Sequence, residues 1–233
     1  SLLASSYTAS ALAVSHTFWW HSSTPEVYTL FTFLLLVSYS FFDQFEKENK
    51  TSHLFLAAFF LGLAASNHIL AFLAFPALGL YFVLSRNIHL RKLNWRKYII
   101  PLLGLPLGFS LYIVQFIRIT RSFPINDIVG PIVGSTFLSG LSLSPLVLGG
   151  SFLKYLFFLL LQFGLPGIIL GVIGIREGFE NNKIISFFIV YMLFGVFYSV
   201  SDQFAFFLTS YVFFAILIGI GLNQLLTILD KKP

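Results

Sequence analysis

Cysteine is absent from the 233 residues, which excludes disulfides, thiolate metal sites and a cysteine nucleophile. Charge is scarce as well: Asp, Glu, Lys and Arg make up 10% of the chain, against about a quarter in an ordinary soluble domain. That shortage excludes a conventional water-soluble globule and a disordered tail. It also leaves too little charge for a nucleic-acid surface, although the formal net charge is +5. No Walker loop, dinucleotide fingerprint, zinc motif or Asp-x-Asp pair occurs. No cofactor and no metal is therefore expected, and a soluble, metal-dependent nucleotide-sugar enzyme is set aside.

What remains is apolar: 57% of the residues are hydrophobic and 30 are Phe. This is the composition of a polytopic membrane protein, an all-α bundle of transmembrane helices. A spanning helix needs about 20 apolar residues, and the runs place segments at 3–18, 24–42, 98–117, 151–175, 185–200 and 205–227. The run 53–85 is too long for one crossing, since about 33 residues at 1.5 Å each reach ~50 Å. Splitting it near Ser66-Asn67-His68 gives segments 53–66 and 68–85, hence about eight membrane segments in one domain. The chain opens at Ser1 inside apolar sequence, without a charged n-region or a small-residue cleavage site. That start predicts an N-terminally truncated fragment with further sequence upstream.

Basic residues orient the segments. Lys47, Lys50, Arg86, Arg91, Lys92, Arg96, Lys97, Arg176, Lys183, Lys231 and Lys232 fall on one side, which is 11 of the 14 Lys and Arg. The positive-inside rule makes that side, and both chain ends, cytoplasmic. Asn49-Lys50-Thr51 matches a glycosylation sequon but lies on the cytoplasmic side, so it is discounted. A bacterial or archaeal cytoplasmic membrane and the endoplasmic reticulum both satisfy this map.

On the opposite face the map collects His21, Glu26, Asn67, His68, Asp127 and Asp202, with the cations Arg118, Arg121 and Lys154. Polar groups gathered at one end of an apolar bundle point to a site there. Each has a structural reading too. Thr24, Pro25 and Glu26 suit the start of a helix. His68 suits a helix junction and Asp202 the cap of the last segment, while the cations can snorkel to headgroups. The functional readings are a carboxylate at Glu26 or Asp202 for a substrate hydroxyl, and a phosphate partner in His68 or the cations. The outer loop 118–150, rich in Gly and Ser, is long enough to be functional. Gly104, Gly108, Gly164, Gly167, Gly171 and Gly174 form small-residue stripes for helix packing. Gln115 and Gln162 are expected to bond between helices.

Three motifs carry a resemblance: Trp19 with Glu26-Val27-Tyr28, Gly62-Leu63 with Asn67-His68, and Tyr198 with Asp202. Together with Gly219-Ile220-Gly221-Leu222 they resemble the GT-C superfamily of polytopic glycosyltransferases. The nearest branch is the protein O-mannosyltransferase-like one, formerly a domain-of-unknown-function family. One departure is Thr209-Ser210-Tyr211, where that pattern has a proline.

The resemblance implies a GT-C-like fold and a hexosyltransferase that moves a sugar, mannose above all, from a polyprenyl-phosphate donor. The acceptor is a protein or glycan hydroxyl on the extracytoplasmic or lumenal face. It implies that the catalytic carboxylate lies upstream of Ser1. The substrate-binding candidates are then Glu26, Tyr28, His21, Asn67, His68 and Asp202, and the lipid-phosphate candidates Arg118, Arg121 and Lys154. Partners are the lipid-linked donor, the acceptor and membrane lipids, with no nucleic acid. Two other classes stay open: a transporter or flippase with an outer polar gate, and a non-catalytic membrane subunit.

Overall fold

The structure, a computed structural model, describes residues 1–24, 26–85, 95–125, 127, 139–178 and 182–230. Pro25, Arg86, Arg91, Lys92, Lys231, Lys232 and most of the stretch 126–138 in the expected outer loop lie outside the described residues. The described chain is helical. In order it forms α1 (Leu2–Ala13), α2 (His16–Ser23), α3 (Tyr28–Glu48), α4 (Thr51–Asn67), a 3-10 turn (Ile69–Leu73), α5 (Ala74–Leu84), α6 (Trp95–Leu102), α7 (Gly104–Thr120), α8 (Pro145–Gly178), α9 (Asn182–Phe197) and α10 (Gln203–Asp230). Among the described residues three stretches are long and apolar enough to cross a membrane: Lys97–Thr120, Pro145–Glu177 and Gln203–Asp230. A fourth is added if α2 and α3 are counted as one bent span.

The helices form two compact units. One comprises Ser1–Glu26, Leu73–Arg86 and Gly140–Pro233. Its axis is α10, apolar on every side, and such a helix has to be enclosed. Its most apolar stretch is 78% buried, packed by α8, α9 and α1, while α5 lies on α9. Glycines let α8 and α10 touch backbone to backbone. A Cβ on Gly174 would run into the Leu217 carbonyl, and one on Gly221 into the Leu170 carbonyl.

α8 is broken at Gly164, whose φ of 63° and ψ of 178° are open to glycine. Pro166 follows two residues on, and its ring disfavours helical backbone at Leu165. Gly164 thus serves as a break and not in the packing stripe the sequence suggested. Lys183, expected in a cytoplasmic loop, is instead buried in the first turn of α9, its Nζ 5.9 Å from the centre of the Tyr81 ring.

The other unit comprises Val27–Phe72 and Asn87–Ser139. Here α4 is the shared partner, packed by α3, α6 and α7. Gly62 and Gly108 face opposite backbones: a Cβ on either would meet a carbonyl oxygen, of Leu105 or of Phe59 respectively. Ser66 Oγ donates to Gly108 O at 3.1 Å and Ser38 Oγ to Ala57 O at 2.7 Å, so hydroxyls join helices in apolar surroundings. The α3–α4 turn is tight because Asn49 adopts φ 52°, a left-handed conformation that Asn tolerates.

Candidate functional site

The expected site residues divide between the units. His21, Glu26, Lys154 and Asp202 belong to the first; Tyr28, Asn67, His68, Arg118 and Arg121 belong to the second.

In the first unit, Thr17 bonds to Gln162 of α8 through both its N–H and its hydroxyl, at 2.9 and 2.6 Å. One turn later on α2 this places His21 in the interior, stacked on Phe204 with ring centres 5.4 Å apart. Burial lowers the His21 pKa below the ordinary histidine value, against the opposing pull of Glu26 and then Asp202, while His16 adds to the lowering. Both carboxylates are therefore close enough to act on the ring, and both residues are exposed. The site they frame presents acceptor oxygens beside an imidazole favoured in its neutral form.

The Asp202 turn is fixed by a short antiparallel pairing of Leu141 with Tyr198. Ser142 N–H donates to Phe197 O at 2.9 Å and Ser199 N–H to Gly140 O at 2.7 Å. Gly140 is required there, since a Cβ would lie 2.5 Å from Cε2 of Tyr198. Beside the turn, Lys154 Nζ donates to Gln203 Oε1 at 2.9 Å.

The helix-start reading of Thr24 is corrected. Its N–H and its hydroxyl both donate to Trp20 O, at 3.1 and 2.9 Å, so it closes α2. α3 begins later, at Tyr28, with Val27 in the cap position. Glu26 thus stands between two helices and outside the first turn of either.

In the second unit, Tyr28 and Phe31 tilt against His68 with ring centres 5.2 and 5.7 Å away. His68 closes α4 by donating its N–H to Ala64 O at 2.8 Å. Its Nδ1 accepts from the Leu70 N–H at 3.1 Å, which leaves the ring proton on Nε2. Asn67 Oδ1 is buried without a hydrogen-bond partner among the described residues. Arg118 lies in the last turn of α7 and Arg121 caps it; both are exposed, where the helix dipole favours cations. Gln115 is exposed on the same helix.

Among the described residues no group of three or more His, Asp and Glu is arranged to hold a metal ion. Neither Gln203 as the partner of Lys154 nor Thr17 as the partner of Gln162 is foreshadowed by any motif. Each pair lies far apart in the chain, and neither forms a spaced motif.

An all-helical chain with candidate membrane spans is the class that fold and composition define. Residues 1–91 match the family described as the N-terminal domain of the protein O-mannosyl-transferase TMEM260. The match is consistent with an O-mannosyltransferase-like family. It contains the Trp19, Glu26-Val27-Tyr28 and Asn67-His68 motifs, while Tyr198 and Asp202 lie beyond it. No curated protein and no solved structure matches the chain.

Proposed function

We propose that this chain is part of a membrane mannosyltransferase of GT-C type. It moves mannose from a polyprenyl-phosphate donor to a protein or glycan hydroxyl on the extracytoplasmic or lumenal face. The observation that carries the reading is the family match over residues 1–91.

The chemistry is an inverting displacement. The acceptor hydroxyl gives its proton to a carboxylate general base, and its oxygen forms a bond to the anomeric carbon. The bond from that carbon to the donor phosphate breaks, and polyprenyl phosphate leaves with the electron pair. Glu26 and Asp202 accept hydrogen bonds from sugar or acceptor hydroxyls, and His21 presses its neutral ring against the same site. The general base is a further carboxylate, as the resemblance implies. Lys154 supplies positive charge for the leaving phosphate in the first unit. In the second unit Arg118 and Arg121 offer charge of the same kind, and Tyr28, Asn67 and His68 offer an aromatic and amide surface suited to a sugar.

The test uses the full-length protein in membranes with radiolabelled polyprenyl-phosphate mannose. Label should pass to protein or glycan in the wild type and fall at least tenfold in Glu26→Gln, the loss of about 1.4 kcal/mol of transition-state stabilisation. Folded wild-type protein that moves no label from this donor overturns the reading.

A further inference from the structure

Gln203 opens α10 and is 1% exposed. Its amide is committed at both ends. Nε2 donates to Gly195 O at 2.9 Å and to Ser151 Oγ at 3.0 Å, while Oε1 accepts from Lys154 Nζ at 2.9 Å. An ammonium only donates, and so does an amide NH2. The Gly195 carbonyl therefore fixes which end of the amide meets the lysine.

That acceptor is neutral, and among the described residues Lys154 forms no ion pair. The lysine keeps its full charge and its remaining N–H bonds while its flexible stem is held in one place. By contrast Lys47 and Lys50 are tied by carboxylates, Asp43 and Glu48, each at 2.6 Å, while Lys97, which also meets an amide oxygen, reaches that of Asn49 only at 3.4 Å. A cation held by an amide stays available to an anion that arrives later, with the ordering already done.

We infer that Gln203 is a positioning residue that holds the Lys154 ammonium, un-neutralised, for the phosphate of a lipid-linked donor. This rests on the mannosyltransferase reading and deepens it: the cation for the leaving group is preorganised by a buried amide. As the bond from anomeric carbon to phosphate oxygen breaks, the electron pair passes to that oxygen, and the ammonium stabilises the added charge.

The experiment measures donor and acceptor KM on the full-length protein in nanodiscs, with polyprenyl-phosphate mannose and an acceptor peptide. Gln203→Glu keeps the side-chain length and an oxygen toward Lys154 but neutralises it. Donor KM should rise about tenfold while acceptor KM holds. Lys154→Met should act alike, and adding Gln203→Glu to it should change nothing more. Lys154→Met leaves the bonds to Gly195 and Ser151 in place, so it carries the test if Gln203→Glu does not fold. Polyprenyl phosphate should compete with the donor where inorganic phosphate does not; equal competition by both overturns the assignment to a lipid phosphate. An unchanged donor KM in a folded variant overturns the inference, as does a Gln203→Glu effect that persists undiminished beside Lys154→Met. Both results leave the mannosyltransferase reading standing. Absence of transfer by the wild type overturns the reading, and the inference with it.

Discussion

Gln162 and Thr17, 145 positions apart, share two hydrogen bonds. The Thr17 N–H, at the second position of α2, is one that a cap side chain normally accepts from. The cap residue Ser15 makes no such bond, so Gln162 caps α2 from another helix. Both side chains are buried. Gln162→Leu keeps the volume but strands a donor and a hydroxyl, which costs about 1–3 kcal/mol. The expected result is a lower thermal midpoint in detergent, with Gln162→Glu recovering little because it buries a carboxylate that no cation among the described residues neutralises. An unchanged midpoint in Gln162→Leu would show that the clamp adds nothing.

A second prediction compares two glycines. At Gly108 a Cβ would run into the Phe59 carbonyl and lie 2.8 Å from the Leu63 nitrogen. α4 and α7 would have to part, so Gly108→Ala costs about 1–3 kcal/mol. At Gly149, exposed on α8, a Cβ would meet nothing within 4 Å. Gly149→Ala should instead stabilise by roughly 0.5–1 kcal/mol, because it removes backbone freedom from the unfolded chain. Thermal unfolding of both variants reads the contrast, and equal effects would refute the close approach of the two backbones.

The helical, membrane-like character of the chain is legible in the sequence because run length and hydropathy are local properties. The limits appear where a residue is decided by distant partners. Thr24 precedes Pro25 and Glu26, a pattern that reads as the start of a helix, yet it closes α2. α2 itself is seated by Gln162, and nothing near Thr24 announces that docking. Lys183 reads as a loop cation because charge in apolar sequence marks an end. It is buried instead, beside the Tyr81 ring supplied by a helix distant in sequence. Glu26 and Tyr28, two positions apart, belong to different compact units. Spacing identified residue types suited to a sugar and a phosphate, but it carries no information about unit membership.

The buried imidazole of His21 gives a pH dependence with a definite sign. Its pKa in the folded chain lies below the ordinary value of 6.5, so below that pH the unfolded state binds more protons. The stability of neutral His21 is fully present above about pH 6.5 and is lost progressively as pH falls toward the lowered folded value. Between pH 7 and pH 5 the thermal midpoint of the wild type should drop further than that of His21→Gln. Parallel curves for the two proteins would show that the ring titrates as it does in water.

The same ring ranks its neighbours. Burial is the largest influence on His21; against it Glu26 raises the pKa more than Asp202 does, and His16 lowers it. Neutralising a carboxylate therefore drives the pKa further down, more in Glu26→Gln than in Asp202→Asn, whereas His16→Gln lifts it. Imidazole nitrogen shifts in protein labelled at histidine report each value directly. The acid loss of stability still begins near pH 6.5, but it should run to lower pH and grow larger in the two carboxylate variants, and end sooner and be smaller in His16→Gln. An Asp202→Asn shift larger than that of Glu26→Gln would place the Asp202 carboxylate closer to the ring. Asp202 would then replace Glu26 as the first carboxylate to test for contact with a sugar hydroxyl.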